Sequence, residues 1–66
     1  MKDKLMKLLK QKEEKRAALV AKSDKSDDVV ELRSIHTELG TLNEEIEELR
    51  GMIADAEAAE AGEGEG

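Results

Sequence analysis

Eight residues, Leu32, Ile35, Leu39, Leu42, Ile46, Leu49, Ile53 and Ala56, recur at alternating intervals of three and four without a break. Such a series lies on one side of an α-helix and forms the a/d seam of a coiled coil. At about 1.5 Å per residue the seam is roughly 36 Å long. It has to be covered, and a chain of 66 residues holds one domain at most. Without Cys and with a single His, the chain lacks the disulfides and His-based metal clusters that commonly staple small domains. A core this small supplies only about 3–5 kcal/mol. Helix pairing, within the chain or between chains, is the remaining route to stability. The absence of Pro and of all aromatic residues also favours long helices over sheets.

The rest of the chain offers one further helix. From Lys2 to Lys22 the segment is basic, and Met1, Leu5, Leu8, Leu9, Leu19 and Val20 share a face that Lys12 and Arg16 interrupt. Residues 23–28 read SDKSDD and contain no apolar side chain, so a turn is expected there. Asp28 is placed to cap the second helix, with Glu31 completing a capping-box pair and Ser26 as a competing cap. The second helix is expected over 29–60. The closing AGEGEG, residues 61–66, reads as a disordered acidic, Gly-rich tail or linker.

A single continuous rod is the competing arrangement. Extending the second seam backwards places Asp28, Lys25, Ala21, Ala18, Glu14, Gln11, Lys7 and Lys4 at core positions, six of which are polar or charged. The stripe of the first helix runs through other residues. This change of phase at a polar hexapeptide predicts an all-α, antiparallel two-helix hairpin with coiled-coil packing and a flexible C-terminal tail. Charge agrees: residues 1–22 carry a net +5 and residues 23–66 a net −11, so the halves attract. Mirror pairing sets Leu19 against Leu32, Leu9 against Leu42 and Leu5 against Ile46. It sets Lys12 and Arg16 beside Glu38 and Glu45, with their stems along the seam. Met52, Ile53 and Ala56 then overhang the first helix and are the expected contact with a second chain. The expected packing set is Leu5, Leu8, Leu9, Leu19, Leu32, Ile35, Leu39, Leu42, Ile46, Leu49, Met52, Ile53 and Ala56.

Sites of chemistry are not expected. His36 is the only imidazole and lies at the flank of the seam, without a second ligand or a triad partner. The Glu pairs at 13–14, 44–45 and 47–48 are adjacent residues on a solvated surface. Gly62, Gly64 and Gly66 follow no strand and open no helix, so a phosphate loop is not indicated. Gly40 and Gly51 fall at exposed b and f positions and read as tolerated surface residues. The basic stretch containing Lys2, Lys4, Lys7, Lys10, Lys12, Lys15 and Arg16 could touch phosphates. A partner helix is the better reading, because the chain as a whole is acidic and has no aromatic to stack on a base. A membrane-surface helix would want Trp or Phe and a wider apolar face. The chain is therefore expected to be a cytoplasmic, non-enzymatic interaction module, with no cofactor, metal, small-molecule substrate or membrane contact.

The stretch KLLKQKEEKRAALVAKSD, a polar break and LNEEIEELRGMI together resemble the N-terminal region of tailed-phage major capsid proteins. The carrying residues are Lys15, Arg16, Ala17, Ala18 and Leu19, then Leu42, Glu45, Ile46, Leu49 and Ile53. The resemblance covers roughly residues 1–58. It departs where the Leu-rich continuation of the family's first helix is replaced by AKSDKSDD. In that family the segment is a built-in scaffold, the delta domain. It helps capsid subunits assemble inside the immature shell and is often removed by a phage protease. The resemblance implies self-association, contact with other capsid subunits and a tail leading toward a capsid body that these 66 residues do not include. The alternative is a free-standing coiled-coil dimerisation adaptor. A downstream capsid body in the full reading frame supports the first, and a stop codon after Gly66 the second.

Overall fold

The computed structural model describes residues 2–65, with side chains through residue 60. Two helices, α1 (Lys2–Lys25) and α2 (Val29–Glu65), pack as an antiparallel hairpin. The molecule measures 56 × 15 × 13 Å. Its long dimension is that of α2, since 37 helical residues rise about 55 Å. The radius of gyration is 16.1 Å, where a compact chain of this length would have about 11 Å. The fold is a rod two helices thick.

Local chemistry sets the helix ends. Asp3 lies in the first turn of α1 and Lys22 and Lys25 in its last, matching the helix dipole at both ends. The expected six-residue turn is in fact three residues long. Ser23, Asp24 and Lys25 continue α1, and only 26–28 leave the helix. The Ser26 amide donates to the Ser23 carbonyl at 3.2 Å and closes α1. Asp28 then caps α2: its Oδ1 accepts from the Val30 amide at 2.9 Å, and its carbonyl accepts from Leu32 at 2.9 Å. The Asp28 amide donates to Ser26 Oγ at 3.3 Å, so Ser26 fills the reciprocal role expected of Glu31. Three residues suffice because Ser26 and Asp28 satisfy the orphan amides between them. The linker expected at 61–66 falls on residues whose side chains are outside those described, and α2 itself runs to Glu65. Met1 is also outside the described residues.

Burial follows the α2 seam, but on α1 Leu8 and Val20, expected on the packed face, are 37% and 45% exposed. On α2 the buried side chains are Ile35, Leu42 and Ile46, the last only 1% exposed, and Leu32, Leu39, Leu49, Ile53 and Ala56 are half-buried. Along α1 and into the turn, Lys2, Leu5, Leu9, Lys12, Arg16, Leu19, Ser23 and Ser26 are half-buried and also step by three and four, with Glu13 half-buried beside them. Only three of those eight are apolar, which is why α1 buries no residue fully. The α1 seam is displaced by two residues from the backward extension of the α2 seam. On one continuous helix two residues turn the stripe by about 200°, onto the opposite side. The chain turns back because only then do both stripes face each other.

The register differs from mirror pairing by roughly one heptad. Lys12 reaches Glu45 at 3.2 Å, Arg16 reaches Asn43 at 3.2 Å, and Lys2 reaches Glu57 and Glu60 at 3.9 and 3.5 Å. Leu5 lies with Met52 and Ala56, not with Ile46, and Leu9 lies with Ile53, not with Leu42. Met52, Ile53 and Ala56 are therefore alongside α1 and do not overhang it. The cause is at the turn, where α1 gains three residues and the short link climbs along the axis before α2 starts. The first turn of α2 is left projecting past α1, and Val29 and Val30 are 66% and 71% exposed.

Candidate interaction surface

The hairpin has two flanks, defined by the heptad positions beside each seam. With Lys2, Leu9, Arg16 and Ser23 at a and Leu5, Lys12, Leu19 and Ser26 at d, position e holds Met6, Glu13 and Val20, and g holds Leu8, Lys15 and Lys22. On α2 the e positions are Val29, His36, Asn43, Arg50 and Glu57, and the g positions are Glu31, Glu38, Glu45 and Met52. In an antiparallel pair the e positions of both helices edge one flank and the g positions the other.

Two side-chain contacts cross the e flank within the chain. Arg50 donates to Glu13 Oε2 at 3.0 Å, and Arg16 to Asn43 Oδ1 at 3.2 Å. Arg50 also lies 4.0 Å from Glu47 on its own helix. Near the turn, His36 is exposed and borders an open groove with Ser23, Val29, Leu32, Arg33 and Thr37. Farther along, Met6, Leu9 and Ile53 edge a second groove with the stems of Lys7 and Lys10. The Glu13–Arg50 pair was not foreseen. Its signal is opposite charge at e on both helices, which becomes readable only once the register is known.

One ion pair crosses the g flank. Lys12, at d, leans to this side and takes Glu45 in the shifted register. Arg16 does not take Glu38; it turns to Asn43 on the other flank, and the shifted register moves Glu38 level with Lys22. Among the described residues, Lys15, Lys22, Glu31 and Glu38 make no ion pair. At the open end of the hairpin the same flank turns apolar. Leu5, Met52 and Ala56 edge a groove there with Asp55, and Leu8 is exposed nearby. Met6 and Met52, on opposite flanks at this end, are 50% and 49% exposed.

Gly40 and Gly51 face open space, with nothing within 4 Å of a built Cβ, and neither has a positive φ. Among the described residues no helix is long and apolar enough to cross a membrane. The surface can hold another helix along its length, with apolar contact at one end and charge contact toward the turn. In comparison with known proteins, no family model matches the chain, and neither a characterised sequence nor a solved structure is similar to it.

Proposed function

We propose that this hairpin is an assembly domain, a scaffold that draws together the larger capsid subunits to which it is joined. The observation that carries the reading is an incomplete core. Among the described residues, two helices of 24 and 37 residues bury three side chains, while Met6, Leu8 and Met52 stay exposed at one end. A helix pair that leaves apolar side chains at its edges completes its burial by association. Weak contacts of this kind gain strength when many tethered copies are held at high effective concentration. Weakness also suits a scaffold, which must let go when the shell matures.

The capsid context rests on the resemblance of residues 1–58. Its Lys15–Leu19 element lies on α1, and its Leu42, Ile46, Leu49 and Ile53 pattern lies along the α2 seam that faces α1. The site of action is then the host cytoplasm and the interior of the immature shell. The test is deletion of residues 1–58 from the complete subunit, with closed shells scored by electron microscopy. Loss or misassembly of shells is expected. Normal shell yield and size would overturn the scaffold reading and favour the dimerisation adaptor.

A further inference from the structure

We infer that the g flank binds a second copy of this chain, with α1 of each copy lying against α2 of the other around a two-fold axis parallel to the rod. The flank itself picks out both partner and orientation. Its α1 edge is basic at Lys15 and Lys22, and its α2 edge is acidic at Glu31 and Glu38. None of these four makes an ion pair among the described residues; the internal pairs are Lys12–Glu45 on this flank and Glu13–Arg50 on the e flank.

Two hairpins can meet face to face in two symmetric ways. A two-fold across the rod lays α1 on α1 and α2 on α2, which sets lysines against lysines and glutamates against glutamates. A two-fold along the rod lays α1 on α2 of the second copy, and every edge then meets its opposite charge. The second arrangement also preserves level along the axis. The contacts within the chain put Lys22 level with Glu38, and Leu8 level with Met52. Across the interface Lys22 therefore meets Glu38 of the second copy, and Leu8 meets its Met52. Leu8 and Met52 of the open end cover each other across the interface, while Met6 stays exposed on the other flank, and the product is an all-antiparallel four-helix bundle. The inference does not depend on a capsid body.

The experiment uses two single variants, Lys22→Glu and Glu38→Lys, and their equimolar mixture. Mass is read by sedimentation equilibrium in about 0.15 M salt, where net charge is screened beyond about 8 Å. Circular dichroism verifies that each variant stays helical. In either variant alone, both cross-copy contacts become like-charged. In the mixture, both contacts become opposite-charged again, while the like-charged pair within each chain is unchanged. The parent is expected to associate reversibly from its 7.3 kDa monomer to a dimer. The mixture should associate about tenfold more tightly than the geometric mean of the two variants. Met52→Ser, a change at an exposed position, should weaken the parent dimer without loss of helix. A parent that remains monomeric into the millimolar range overturns the inference, as does a mixture no tighter than its components. If shell assembly requires residues 1–58 but the mixture shows no gain, the scaffold reading stands and this interface is wrong.

Discussion

Replacing Ile46 with alanine probes the core where it is tightest. Ile46 is 1% exposed and is the largest fully buried side chain. The substitution removes three carbons, and at about 0.8 kcal/mol for each buried carbon the lost transfer energy is roughly 2.4 kcal/mol. Cavity formation adds to this, but a pair of helices can close partly over the gap, so the lower part of the observed 2–5 kcal/mol range applies. Alanine's better helix propensity returns a few tenths of a kcal/mol. The net cost is about 2–3 kcal/mol, against a total of about 3–5 kcal/mol for a core of this size. At about 4–8 °C per kcal/mol, the midpoint should fall by roughly 10–20 °C. Thermal and urea unfolding followed by circular dichroism would read it at one fixed concentration, because association would add to apparent stability. Met6→Ala is the control, since Met6 is half exposed, lies on the other flank and should lose well under half as much. Equal losses at the two positions would mean that the α2 seam does not form the core.

Two further outcomes follow from the helix surfaces and ends. Gly40→Ala and Gly51→Ala should each raise stability by about 1 kcal/mol, because a Cβ meets open space at both sites and glycine is a poor helix former. A loss in urea denaturation would reveal a close contact at that face. Asp28→Ala should cost about 1 kcal/mol through loss of the bond to the Val30 amide, and backbone chemical shifts should show fraying confined to the first turn of α2.

The two helices, their antiparallel pairing and the opposite charge of the two halves are all legible in the residue pattern. These follow from local periodicity. The spacing from Leu32 to Ala56 lies within one helix, and the two-residue phase change at 26–28 turns one stripe away from the other unless the chain reverses. Asp28 as a cap was legible for the same reason, since a cap acts over two or three residues. That Lys12 and Arg16 face acidic and polar edges of α2 was legible from charge, but the partners Glu45 and Asn43, and the Glu13–Arg50 pair, were not. What the tertiary structure alone decided is the register. Two seams that both repeat every seven residues fit equally well after sliding by a heptad, so periodicity is silent about level. The choice lies with the length and climb of the three-residue link and with a few polar contacts along the edges. Once made, it moved the exposed apolar residues from an overhang beyond α1 to the flanks of the open end and to Val29 and Val30 at the turn. Those positions, not the seam itself, carry the apolar side chains that the pairing of α1 and α2 leaves uncovered.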